Sequence, residues 1–103
     1  MITDKEIETA QKHLEEFLGT KGTSYQQFES DVPVAALIVR QLATLDVICT
    51  EGPAQNQSPK THHKIITTTM NDSTLMDPRL KTYGEWIEEY VKNKYASLIE
   101  ESK

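Results

Sequence analysis

The segment at residues 33–49 constrains the fold more than any other part of the sequence. Its apolar residues lie almost all the way around a helical wheel, and Arg40, Gln41 and Thr44 form only a narrow polar stripe. A helix that is apolar on nearly every side is buried on nearly every side. In a chain of 103 residues the other helices can hardly wrap it. We therefore expect it to be either the central helix of a compact bundle or the core of an oligomer interface.

Two further segments show the pattern of amphipathic helices. Residues 3–18 open with Thr3 and Glu6 at the spacing of a capping box and continue with apolar residues three and four positions apart, and Gly19 follows where a left-handed C-terminal cap belongs. Residues 77–100 open with an N-cap aspartate followed by a first-turn proline. A short helical turn is predicted at residues 24–30, between the first of these helices and the apolar segment at residues 33–49.

Residues 51–70 have no helical pattern in their apolar residues. Residues 51–60 are rich in glycine, proline, serine and asparagine, which predicts a flexible loop. Residues 61–70 are rich in isoleucine and threonine, which favour a short strand or an extended loop. Such a strand could pair with residues 46–50, or with its own copy in a dimer.

These segments together predict an all-α fold in a single domain over residues 1–103. The predicted architecture is a small bundle of three principal helices with a short extra turn and a long loop. The alternative is an α+β fold with a short hairpin or strand near residues 61–70.

The charge balance excludes some classes of partner. Sixteen acidic residues against eleven lysines and arginines give a formal net charge of −5, and the basic residues form no cluster of the kind that duplex binding requires. The N-terminus is charged and lacks the apolar core of a signal peptide, and no segment reaches the length of a membrane span. The single cysteine, Cys49, allows no intrachain disulfide. We expect a cytoplasmic protein that contacts neither membranes nor duplex nucleic acid.

The candidate ligand-binding residues are basic and few: Arg40, His62, His63, Lys64 and Arg79. A guanidinium within an apolar helix needs a carboxylate or an anion, although an internal ion pair or a side chain that reaches solvent would also satisfy Arg40. Lysine supplies charge, and imidazoles supply tunable hydrogen-bond donors beside several threonine hydroxyls. This composition predicts a small anionic or nucleotide-like ligand, and the alternative is a solvated polar loop.

Metal and cofactor chemistry is not predicted. His62 and His63 are neighbours and would point to opposite faces of a strand, so they do not suit one metal ion. The spacing of nucleophiles, histidines and acids matches no catalytic constellation. Trp86 and Tyr90 are the candidate partner contacts, since these residue types are common interface anchors, although the tyrosine could equally lie in the core.

The leading functional hypothesis is a non-enzymatic binding or inhibitory protein that acts through protein–protein contacts, as a homo-oligomer. Its basis is the apolar segment at residues 33–49, the acidic surface and the lack of a catalytic motif. One alternative is a protein that binds or sequesters a small anionic or nucleotide-like ligand. Another is an enzyme that uses His62 or His63 as a base.

Overall fold

The computed structural model describes residues 2–51 and 58–101, with side chains omitted for residue 51 and residues 97–101. The described residues form four long α-helices and one short one, without a strand, and a single 3-10 turn at Pro78–Leu80 precedes the last helix. The all-α prediction is confirmed, but the predicted number of three principal helices is wrong. The helices are α1 (Asp4–Thr20), α2 (Tyr25–Asp31), α3 (Ala35–Glu51), α4 (Pro59–Met76) and α5 (Lys81–Glu101).

Helix α1 begins as predicted and ends later than predicted. The Thr3 hydroxyl accepts a hydrogen bond from the Glu6 amide at 3.2 Å, and the Glu6 carboxylate accepts one from the Thr3 amide at 2.8 Å, which completes the capping box. Gly22, with φ of +79°, takes the left-handed conformation that the sequence suggested for Gly19. The amide of Thr23 bonds to the Leu18 carbonyl, so the helix ends in a Schellman motif around Gly22.

Helix α3 lies at the centre of the bundle. Helices α1, α2 and α4 all pack against it, and its apolar residues are mostly buried, among them Ile38, Leu42 and Leu45. One chain therefore covers most of the apolar surface of residues 33–49, and the structure matches the central-helix alternative for this segment. The expectation that a second chain must cover this helix loses its original basis. Asp31 is the last residue of α2, and α3 begins at Ala35.

Helix α4 includes residues 61–70, which were predicted to form a short strand or an extended loop, and that prediction is wrong. The Ser58 side chain accepts a hydrogen bond from the Thr61 amide and caps the helix, and Pro59 occupies its first turn. His62, Ile66 and Met70 recur at four-residue spacing and are all buried. Packing of this stripe stabilises the helix despite its β-branched residues. Of the loop predicted at residues 51–60, residues 52–57 lie outside the described residues.

The predicted start signal, Asp77 followed by Pro78, begins a short 3-10 turn, and α5 follows that turn. The Asp77 side chain accepts a hydrogen bond from the Arg79 amide and caps the 3-10 turn, after which the chain continues as α5. Ile87 and Val91 are buried on the face that α5 turns to the core. Glu88 and Lys92 form an i,i+4 ion pair, with Lys92 Nζ 3.7 Å from the Glu88 carboxylate.

Within the described part of the chain, no helix on its own combines the length and apolar character of a membrane span. Taken together, α2 and α3 have the length and apolar composition of a membrane span, but the two helices are bent by 119° relative to each other.

Candidate functional site

A groove between α4 and α5 brings four basic side chains together. Lys60, His63 and Lys64 line it from α4, and Lys92 lines it from α5. The groove has a volume of about 530 Å³ and is also lined by Thr61, Thr67 and Glu88. We call it the basic groove. The helical spacing of residues 60, 63, 64 and 67 places their side chains along the same side of α4.

Glu88 organises the basic groove from its centre. Its carboxylate lies 2.7 Å from His63 Nε2 and 3.7 Å from Lys92 Nζ, and it accepts a hydrogen bond from the Thr67 hydroxyl at 2.9 Å. Since a carboxylate only accepts hydrogen bonds, Nε2 of His63 carries the proton. The imidazole is therefore fixed in one orientation.

Two lysines of the basic groove keep their charge available to a ligand. Within the described residues, neither Lys60 nor Lys64 forms an ion pair, and both are exposed. The groove thus carries three lysines against the single carboxylate of Glu88. In a protein whose net charge is −5, this is a local excess of positive charge that favours an anion.

Three of the five predicted ligand-binding residues lie away from the basic groove. His62 is buried against α3, where its Nε2 donates a hydrogen bond to the Gln41 carbonyl at 2.8 Å. Burial lowers the pKa of His62, so this imidazole is neutral near pH 7. Arg40 is exposed on α3, and Arg79 forms a two-bond pair with Asp77 at the start of α5. Only His63 and Lys64 of the predicted set lie together in one site.

The structure places the two candidate partner contacts at different depths. Tyr90 is buried, its ring packs against Phe17 with centroids 5.2 Å apart, and its hydroxyl accepts a hydrogen bond from Lys94. This matches the alternative interpretation, in which the tyrosine is a core residue. Trp86 is half-buried and contacts the ring of Tyr83 edge-on at 5.5 Å. Part of the indole surface therefore remains open to solvent, whereas the Tyr90 ring does not.

A second surface carries exposed apolar side chains of α3 and α4. Among the described residues, four large apolar residues are exposed, and all of them lie on α3 or α4: Leu37 (45%), Ile65 (44%), Leu75 (82%) and Met76 (88%). Gln41 Nε2 donates to the Thr69 hydroxyl at 3.0 Å, so the helical stripe that contains Leu37 adjoins the stripe that contains Ile65. We call this surface the α3–α4 outer face; it comprises these four residues with the exposed Arg40 and Asp72.

A cluster of polar side chains joins α1, α3 and α5, and sequence reasoning missed it. The Tyr95 hydroxyl donates a hydrogen bond to Asp46, and the Lys94 ammonium lies 3.4 Å from the same carboxylate. The ammonium also donates to His13 Nδ1 at 3.0 Å, which requires a neutral imidazole. The single hint in the sequence was Asp46, an acidic residue within an apolar helix.

The groups around the polar cluster have little reactivity. Burial, together with the hydrogen bond to Asp46, raises the pKa of Tyr95, so the phenol keeps its proton and remains a donor. Burial also raises the pKa of the neighbouring Cys49, which keeps it a thiol rather than a nucleophilic thiolate. We interpret this cluster as a structural tie between three helices.

Within the described ranges, no group of three or more histidine, cysteine, aspartate or glutamate side chains could hold a metal ion.

No protein-family model matches this chain, and no curated protein or solved structure matches it at a significant level.

Proposed function

We propose that this chain is a non-enzymatic binding protein that associates with a second copy of itself through the α3–α4 outer face. The observation that carries the proposal is that the four large apolar residues exposed in the described part of the chain all lie on α3 or α4. Exposed apolar side chains scattered singly are ordinary, whereas several on two neighbouring helices are typical of a contact surface.

The apolar area of this face supports a weak dimer. Full burial of an exposed leucine or methionine side chain contributes about 1.5–3 kcal/mol. Leu75 and Met76 are almost fully exposed, and two protomers supply two copies of each. Association itself costs about 4–15 kcal/mol in lost freedom of motion. The net free energy of association is therefore small, and we expect a dissociation constant on the order of micromolar or weaker.

The charges on the face fit a two-fold axis. Arg40 on α3 and Asp72 on α4 are both exposed, and among the described residues neither forms an ion pair. In a two-fold dimer each contact occurs twice, so Arg40 of one protomer can meet Asp72 of its partner and the reverse. This pairing favours a second copy over an unrelated apolar surface.

The test is sedimentation velocity over a concentration series that reaches the high micromolar range. The wild-type protein should show a shift towards twice the monomer mass. The double variant Leu75→Ser, Met76→Ser should abolish the shift, and Lys12→Ser, Glu15→Ser on the exposed side of α1 is the matched control. Arg40→Glu should weaken the dimer, and Arg40→Glu combined with Asp72→Arg should restore it. A strict monomer at every concentration, or a dimer that survives the Leu75–Met76 change, would contradict the proposal.

A second candidate function is the binding of a small anion in the basic groove, and the convergence of Lys60, Lys64 and Lys92 beside His63 favours it. The first probes are inorganic phosphate and nucleotides, with binding measured by calorimetry. Lys64→Gln combined with Lys92→Gln should weaken binding at least tenfold, and affinity should fall as salt rises. Lys12→Gln, on α1, is the control for a lost surface charge. Binding that is equal in the double variant and in the control would rule out this site.

A further inference from the structure

The two methionines in the described part of the chain differ in their access to solvent. Met70 belongs to the buried stripe of α4 and is 2% exposed, whereas Met76, the last residue of the same helix, is 88% exposed. A reagent in solution reaches the Met76 thioether directly, but it reaches the Met70 sulfur only when the helices around it separate. Helix α4 therefore carries one accessible and one protected thioether.

The accessible thioether lies on the α3–α4 outer face. Leu75 and Met76 are the most exposed of the four large apolar side chains on this face, and they supply more accessible apolar surface than Leu37 and Ile65 do. Oxidation of a methionine sulfur converts a flexible apolar side chain into a polar one with a strong hydrogen-bond acceptor. A change at this single sulfur would therefore alter one of the two side chains that contribute most to the face.

We infer that Met76 is a site of reversible oxidation by a peroxide, and that its sulfoxide separates the dimer formed through the α3–α4 outer face. The effect on the dimer rests on the proposed function. In the forward step the thioether sulfur attacks one oxygen of hydrogen peroxide, the O–O bond breaks and an S–O bond forms. The sulfur loses two electrons and the peroxide gains them. The proton on the transferred oxygen passes to the departing hydroxide, which leaves as water.

The reverse step restores the apolar side chain. Methionine sulfoxide reductases return the sulfoxide to the thioether. Two thiols supply the two electrons and leave as a disulfide, and the sulfoxide oxygen leaves as water. No bond of the chain is cut in either direction, so the side chain can be oxidised and reduced repeatedly.

Oxidation of Met76 and self-association oppose each other. In the proposed dimer the Met76 thioether of each protomer is covered, whereas the monomer presents it to the peroxide. A sulfoxide in the same contact buries a polar oxygen without a partner and loses the apolar contacts of the methionine. The sulfoxide should therefore weaken the dimer by on the order of tenfold or more. Because only the monomer reacts, the oxidation rate of Met76 should fall as the protein concentration rises.

The experiment treats the full chain with hydrogen peroxide and follows each methionine by peptide mass spectrometry. Cleavage before aspartate residues releases residues 72–76 and so separates Met76 from Met70. In the monomer, Met76 should be oxidised at least about tenfold faster than Met70, whose sulfur reacts only in open states. In sedimentation velocity, the oxidised protein should be monomeric at concentrations where the untreated protein dimerises. A sulfoxide reductase with a dithiol should restore the dimer.

Two variants at the same position isolate the role of the sulfur. Met76→Leu keeps a similar volume and apolar character but has no sulfur, so it should dimerise like the wild type and keep its dimer after peroxide treatment. It also controls for oxidation elsewhere in the chain, such as at the free thiol of Cys49. Met76→Gln places a polar side chain at this position and should weaken the dimer without any peroxide.

Each possible result bears on a different part of the inference. Oxidation of Met76 no faster than that of Met70 would overturn the assignment of the site. Selective oxidation that leaves the wild-type dimer intact would overturn the effect on association, while the proposed dimer would stand. If peroxide separates the Met76→Leu dimer as readily as the wild-type dimer, the effect arises elsewhere and the inference fails. A wild-type chain that is monomeric before treatment contradicts the proposed function, and the ratio of the two oxidation rates then decides the site alone.

Discussion

Gly84 and Gly22 differ in backbone conformation, and the same substitution should change stability in opposite directions at the two positions. Gly84 lies within α5, and a Cβ atom there meets no atom closer than 3.8 Å. Glycine within a helix is less stable than alanine by about 0.5–1 kcal/mol because it loses more conformational freedom on folding. Gly84→Ala should therefore raise the free energy of unfolding by this amount. The corresponding rise in melting temperature is roughly 2–8 °C for a domain of this size.

Gly22 provides the opposing case. Its φ of +79° is in the left-handed region, where an alanine Cβ collides with the following carbonyl oxygen at a cost of about 1–2 kcal/mol. No atom lies within 4 Å of a Cβ built at this position, so the backbone conformation alone decides the result. Gly22→Ala should lower the free energy of unfolding by about 1–2 kcal/mol.

Urea denaturation followed by circular dichroism measures both changes in one assay. The dependence of the unfolding free energy on urea should stay constant, since neither substitution changes the surface exposed on unfolding. A loss of stability in Gly84→Ala would mean that α4 and α5 approach more closely than these distances allow. An unchanged Gly22→Ala would mean that the turn after α1 is not left-handed, and the reasoning would fail at that position.

Three further predictions concern single side chains. Burial lowers the pKa of His62 below its ordinary value of about 6.5, so on acidification the unfolded chain takes up a proton before the folded chain does. The free energy of unfolding is therefore unaffected by this group above about pH 6.5, and it decreases as the pH falls from there towards the pKa of His62 in the folded state. Melting curves at stepped pH should show this decline in the wild type and less of it in His62→Gln. Tyr95→Phe removes a hydrogen bond to the Asp46 carboxylate and should cost about 1.5–3 kcal/mol in urea denaturation, more than the same change at the half-buried Tyr83. Ser58→Ala removes the N-cap of α4 and should cost about 0.5–2 kcal/mol, whereas an unchanged stability would contradict a helix that begins there.

The starts of α1 and α5 were predicted from local signals, each formed by residues that lie close together in the sequence. The Thr3–Glu6 capping box and the Asp77-Pro78 pair both lie where the structure begins a helical segment. Such caps depend on residues within a few positions of each other, so they can be recognised without knowledge of the fold. The apolar segment at residues 33–49 was likewise predicted as a helix, and its central position was one of two stated alternatives.

Helix α4 was missed because its local preference and its tertiary packing disagree. Isoleucines and threonines at residues 65–69 favour extended structure. In the structure the hydroxyls of Thr69, Ser73 and Thr74 donate to carbonyls one turn earlier, which satisfies them within the helix. The buried stripe around Ile66 then stabilises the helix through contacts with α3 and α5. Those contacts come from distant parts of the chain and cannot be inferred from the local pattern.

The candidate site was predicted only in part for the same reason. His63 and Lys64 were selected by composition, and both lie in the basic groove. Lys60 and Lys92 join them only because α4 is a helix and packs beside α5, so a strand assignment conceals their convergence. Arg40 was selected because an arginine within an apolar helix requires a partner, but the structure exposes its side chain and removes that requirement.

The central position of α3 also determines how the molecule opens. Neighbouring helices cover this helix on most sides, and Ile38, Leu42, Ala43 and Leu45 are almost completely inaccessible to solvent. Amide protons in such a segment exchange with solvent deuterium only when the surrounding helices separate. The slowest-exchanging amides of the protein should therefore lie on α3, and their exchange rates give the free energy of global unfolding without denaturant.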